Sequence, residues 1–93
     1  MSGWEERTFF VGNVPFKAEE ADLRDVFVKH GYQVSTVKIA RDAETQRSKG
    51  LGFVTVLWNT AEDAGELVRK MYGVELMGRN LRVQVQQGKN TAA

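Results

Sequence analysis

"KGLGFVTV", residues 49–56, decides how this chain folds. Val54 and Val56 alternate with Phe53 and Thr55, the period of two that a β-strand shows when its two faces meet different surroundings. If the valines point into a core, Lys49, Leu51, Phe53 and Thr55 point to the opposite face.

Working outward, the neighbouring segments supply the rest of a small sheet and its cover. Residues 7–14, "RTFFVGNV", form a short β-prone run that ends at Pro15, which has no amide hydrogen to give a ladder. In residues 19–30, "EEADLRDVFVKH", Leu23, Val26 and Phe27 recur at helical spacing, and Gly31 supplies a stop. The start of this helix lacks a Ser, Thr, Asp or Asn at the cap, although acidic residues occupy its first turn. Residues 33–41, "QVSTVKIAR", are rich in β-branched side chains, with Val37 and Ile39 on one face. A polar loop, "DAETQRSKG", separates them from the strand of residues 50–57. Thr60 opens a second amphipathic helix with Ala64, Leu67, Val68 and Met71 on one face, closed by Gly73. In residues 80–86, "NLRVQVQ", Leu81, Val83 and Val85 alternate with Arg82, Gln84 and Gln86, a last strand with one wet face.

The order β-α-β-β-α-β with two amphipathic helices predicts an α+β, ferredoxin-like sandwich. A four-stranded antiparallel sheet carries both helices on one face and leaves the other open. With 93 residues there is room for one domain, placed at residues 7–86, with a flexible segment at 1–6 and a tail or linker at 87–93. No apolar run approaches the roughly 20 residues of a membrane helix, and the first ten residues lack the order of a secretory signal. An intracellular protein is expected, with nuclear, cytoplasmic and organellar residence all compatible. Zero cysteines exclude a disulfide framework and thiolate metal sites, and a single histidine, His30, builds no histidine cluster.

The same alternation puts Phe10 on the open face if Phe9 and Val11 are core. Burying each ring would contribute about 1.5–3 kcal/mol, so two phenylalanines and a leucine facing water point to a use for that surface. "FFVGNV" at residues 9–14 and "KGLGFVTV" at 49–56 resemble the paired short motifs of the RNA recognition motif family, and the likeness covers residues 7–86. The resemblance implies RNA binding, with Phe10 and Phe53 each stacking on one unpaired base and Lys49 meeting a backbone phosphate. Leu51 stands where the family usually carries an aromatic ring packed against sugars, which keeps an apolar contact but loses the π face. Val56 replaces a core aromatic, and "VLWNTAEDA", residues 56–64, is about two residues longer than the family's usual connection.

Charge is distributed to match. Net charge is only +1, but the two helical windows, 19–30 and 60–72, hold 7 acidic against 4 basic residues, leaving 9 basic against 5 acidic elsewhere. Alternation puts Lys38 and Arg82 on the open face with Gln84 and Gln86, where cations meet phosphates and amides read base edges. The candidate RNA-binding residues are therefore Phe10, Lys38, Lys49, Leu51, Phe53, Arg82, Gln84 and Gln86. Arg41 and Arg47 flank the loop, and Trp4 and Trp58 are left open as extra stacking rings.

The expected partner is short single-stranded RNA, bound by a domain that is monomeric in isolation and has no cofactor or metal. A rival reading is an RRM-like protein-interaction domain that uses its helix face. It rests on the acidic first helix and on Arg79-Asn80-Leu81, where the protein-binding subset carries Arg-x-Phe; leucine replaces that phenylalanine. Catalysis is not expected. "GLGFVT" lacks the third glycine of a dinucleotide loop and the Lys-Ser/Thr of a phosphate loop, and "GNVPFK" lacks the arginine that acylphosphatases of the same layout would need there.

Overall fold

Strands whose inward residues are Val, Ile and Phe need a cover, and in the computed structural model, which describes residues 4–59 and 64–86, two helices provide it. The chain runs β1 (Trp4–Gly12), α1 (Glu20–Lys29), β2 (Gln33–Arg41), β3 (Ser48–Asn59), α2 (Ala64–Met71), β4 (Glu75–Leu76), β5 (Arg79–Asn80) and β6 (Arg82–Val85). Strands β2-β3-β1-β6 form one sheet in that order with every neighbouring pair antiparallel. This is the expected ferredoxin-like α+β fold. Leu23, Val26 and Phe27 of α1 and Leu67 and Met71 of α2 join Phe9, Val11, Ile39, Val54, Val56 and Val83 of the sheet in one buried cluster. Each such side chain, fully buried, is worth about 1.5–3 kcal/mol.

The two glycines of the opening stretch have different jobs. Gly52 lies inward beneath α1, where an added Cβ would come within 2.9 Å of Leu23 Cδ2 and 3.1 Å of the Lys38 carbonyl oxygen. Gly50 adopts φ +79°, a conformation glycine enters without steric cost. Its carbonyl accepts a 2.9 Å bond from the Val14 amide, tying the β1–α1 loop to the start of β3.

Several boundaries differ from the expectations. Residues 4–6, expected as part of a flexible segment, begin β1, because β3 continues to Asn59 and supplies ladder partners for them: Trp4 pairs with Asn59, Glu5 with Trp58 and Glu6 with Leu57. Across β3, the Ser35 hydroxyl donates to Glu6 Oε2 at 2.7 Å. The last strand starts at Arg82 rather than residue 80, since β4 and β5 form a separate hairpin in which Leu76 pairs with Arg79. Its two-residue turn, Met77-Gly78, has positive φ at both positions, as a twist-matched hairpin requires. Helix α1 starts at Glu20, and in place of a short polar cap the Asp22 carboxylate accepts the Glu19 amide at 2.9 Å. At its other end His30 Nδ1–H donates to the Val26 carbonyl at 2.8 Å. Thr60 as a helix start and residues 87–93 as a tail lie outside the described residues. No helix among the described residues is long and apolar enough to cross a membrane.

Replacing Gly52 with alanine forces Leu23 and the β2 backbone apart, and overpacking of this kind costs about 1–3 kcal/mol. Urea unfolding of the Gly52→Ala domain is expected to show a loss in that range. An unchanged midpoint would mean that Leu23 can step aside freely.

Candidate nucleic-acid interface

Register brings the open-face residues into rows that cross the sheet. Lys38 pairs with Phe53, Phe53 with Phe10 and Phe10 with Gln84, so one row runs Lys38–Phe53–Phe10–Gln84 over β2, β3, β1 and β6. The Phe10 and Phe53 rings meet edge to face, 5.6 Å between centroids and 63° between planes. An aromatic pair of this kind contributes about 0.5–1.5 kcal/mol beyond its area. The rings therefore do not stand free in water as alternation alone suggested. Each is half-buried, in part against the other.

The adjacent row is made of threonines. Thr36 pairs with Thr55 and Thr55 with Thr8, and the Thr8 and Thr55 hydroxyls share a 3.0 Å hydrogen bond. Thr55 was assigned to this face from the sequence but not counted as a site residue, and Thr8 and Thr36 were missed. The signal that finds them is the same period of two that finds the rings. On the other side of the aromatic row, Gly12 pairs with Arg82. A Cβ on Gly12 would lie 3.7 Å from Phe10 Cε2 and 3.8 Å from Arg82 Cβ, so ring and arginine border the same small hollow.

Lys38, Arg82, Gln84 and Gln86 are all exposed, and Leu51 is half-buried. Gln86 follows β6 and extends its pairing by one bond, its amide donating to the Thr8 carbonyl at 3.2 Å. Lys49 is exposed, but counting by twos does not carry it to the open face. Ile39 pairs with Gly52 and Arg41 with Ser48, leaving Lys49, Gly50 and Leu51 opposite the single residue Ala40, a bulge that interrupts the alternation. Arg41 is engaged elsewhere, its Nη2 bonded to Glu20 Oε1 of α1 at 3.1 Å. The side chains of Trp4 and Trp58 lie outside the described residues. Among the described residues no group of His, Cys, Asp and Glu could hold a metal ion.

The β2–β3 loop beside this face is braced by Asp42. Its carboxylate accepts the amides of Thr45 at 3.1 Å and Glu44 at 2.8 Å, and these bonds hold it below the ordinary aspartate range, Thr45 contributing most. A lowered folded-state pKa stabilises the loop fully above the ordinary aspartate pKa and loses that effect as pH falls through the lowered value. A carboxylate-detected NMR titration is expected to place the Asp42 midpoint below that of a free aspartate, with the Glu44 and Thr45 amide shifts following it. A midpoint at or above the ordinary value would show that the brace does not persist in solution.

The family model of the RNA recognition motif matches residues 9–82. A Nostoc sp. protein, RbpD, whose name describes it as RNA-binding, is 42% identical over 76 residues, 82% of this chain and 78% of that protein. The solution structure of the N-terminal RNA binding domain of a hypothetical protein superimposes with a TM-score of 0.75 at 27% identity, covering 97% of this chain and 88% of that one. The crystal structure of the first two RRM domains of the yeast poly(U) binding protein Pub1 gives 0.74 at 27% identity over 89% of this chain; the match spans 48% of that two-domain chain. RNA recognition motifs are RNA-binding modules and are generally non-catalytic. On the strength of that match and of the paired motifs on β1 and β3, this chain belongs to the RNA recognition motif family.

Proposed function

We propose that the domain binds short single-stranded RNA across its open sheet face. Phe10 and Phe53 each stack on one base, and Leu51 packs against the sugars between them. Lys38, Lys49 and Arg82 meet phosphates or base edges, and Gln84 and Gln86 read base edges. The observation that carries this reading is the aromatic row: two half-exposed rings side by side on the central strands, continuous with a cation at one end and an amide at the other. Flat, unpaired bases are the ligand such a row suits, because every base has a π face and single strands can splay theirs out.

Electrostatics supports the same direction. Phosphate contacts are few, so affinity falls gently with salt, by a slope of about −0.7 per contact on single strands. An affinity in the micromolar range or weaker follows for the isolated domain. A protein partner on the helix face is the second reading, favoured by the exposed apolar side chains of Val28, Tyr72 and Met77. Leu81, which stands where the protein-binding subset has its phenylalanine, is fully buried and offers no exposed ring there.

Stacking is worth about 1–3 kcal/mol per base, so Phe10→Ala and Phe53→Ala are each expected to weaken binding of random RNA octamers about 5-fold or more. An amide NMR titration should move Phe10, Lys38, Phe53 and Arg82 in the wild type and leave them nearly still in the double variant. Sheet amides that stay silent with the wild-type domain would sink the RNA reading and direct attention to the helix face.

A further inference from the structure

Strand β2 is an outer strand of the sheet: β3 pairs with one side of it, and no strand among the described residues pairs with the other. A free edge offers unpaired backbone amides and carbonyls to any second strand, and folds blunt it with irregularities. Here register shifts do so toward both ends, between Val34 and Thr36 and between Ile39 and Arg41. Between them Thr36, Val37, Lys38 and Ile39 pair one-to-one with β3, a regular stretch whose outer side is open.

Beside the same stretch α1 leaves a hollow of about 230 Å³ lined by Glu20, Ala21, Arg24 and Val37. Val37 is half-buried and packs against the core from the helix side. Glu20 and Arg24 lie one turn apart on one row of α1, a spacing at which acid and base often bind each other. Here Glu20 Oε1 instead accepts from Arg41 Nη2 at 3.1 Å. The exposed Arg24 has no hydrogen-bond or ion-pair partner among the described residues.

We infer that this edge is a self-association surface whose partner is a second copy of the chain, with the two β2 strands antiparallel about a two-fold axis at Val37. Residues directly opposite in an antiparallel pair share a face, so this axis sets the two Val37 side chains together on the helix side and each Thr36 opposite a Lys38 on the open side. An axis at Lys38 would set two lysines opposite each other, which is destabilising. Because the hollow places Val37 beside the Glu20–Arg24 turn, the same axis passes through that turn and exchanges its ends. Each Arg24 then meets the Glu20 of the other copy, and Ala21 between them is small enough for the helices to come close. One short strand edge and one helix flank fall at or below the roughly 1,200 Å² where stable complexes begin. The dimer therefore forms only at high protein concentration, which departs from the monomer expected from the sequence. The inference does not depend on the sheet-face reading, although it would join two open faces into one continuous sheet.

Sedimentation equilibrium of the RNA-free domain, from micromolar to near-millimolar concentration, tests this. Mean mass of the wild type is expected to rise with concentration. Arg24→Glu, which sets acid against acid, is expected to weaken association about 10-fold or more, and Glu20→Arg combined with Arg24→Glu to restore it to within about 3-fold of wild type. The chain has no cysteine, so register reads out by disulfide cross-linking. An equimolar mixture of the Thr36→Cys and Lys38→Cys single variants is expected to cross-link in clear excess over either variant alone. A wild type that stays monomeric throughout overturns the inference. So does association that Arg24→Glu leaves unchanged, and so does a mixture that cross-links no better than its components. Thr36, Lys38 and Arg24 are all exposed, so these single variants keep the fold. Should the double variant unfold through the loss of Arg41's partner, Arg24→Glu and the cross-linking decide.

Discussion

Phe9 of β1 lies between Val54 of β3 and Val85 of β6, and this inward row constrains the whole domain. A slip of β3 by one residue against β1 would turn Phe53 and Thr55 toward α1 and α2 and put Val54 and Val56 in water. The close seat of Leu23 over Gly52 opposes such a slip, because a phenylalanine or leucine brought to that point could not fit under the helix. The core and the open face are thus one fact about register seen from two sides. The rings are displayed because their neighbours in sequence are buried.

Displaying two phenylalanines has an energetic consequence, and the fold offsets part of it. Their edge-to-face contact removes some ring surface from water while leaving area for a ligand. Pairing them directly across adjacent strands also fixes their spacing with backbone hydrogen bonds rather than with loops. On the proposed reading, two bases arriving on this face would meet positions set by the sheet, which would lower the ordering that binding must impose. The threonine row alongside, with Thr8 and Thr55 already hydrogen-bonded to each other, is similarly rigid.

How much of this was legible in the sequence depends on how local each cause is. Phe10, Phe53, Arg82 and Gln84 followed from period-two alternation because their strands run regularly between paired neighbours. Lys49 did not, since Gly50 at φ +79° breaks the count, and a glycine in sequence does not announce which conformation it takes. The bulge at Ser35, which lets Val34 and Val37 both pack against the core, is hidden in a uniformly β-prone segment. The β4–β5 hairpin escaped because its turn uses Met77 at φ +51° where asparagine or aspartate would have flagged it. Trp4 and Glu5 joined β1 through the length of β3, a partner 50 and more residues away. The ion pair that takes Arg41 out of play is equally remote, depending on Glu20 of a helix that precedes it.

The sheet face has an electrical direction as well as a chemical one. At one end Glu6 stands in the row with Leu57 and Gln33; at the other Arg82 pairs with Gly12, and Lys38 lies between. A polyanion crossing such a surface is repelled at the first end and drawn toward the second. That second end is where β3 begins, where Lys49 is exposed and where Arg47 is free. Acidic side chains are concentrated on the helices, and Glu20 among them is already neutralising Arg41. The small net charge of the chain therefore conceals a gradient, and the gradient runs from the acidic start of β1 toward the loops that hold Phe16. A strand of RNA seated on Phe10 and Phe53 would leave the sheet most easily in that direction, which makes the loop end the side on which further contacts can add to affinity.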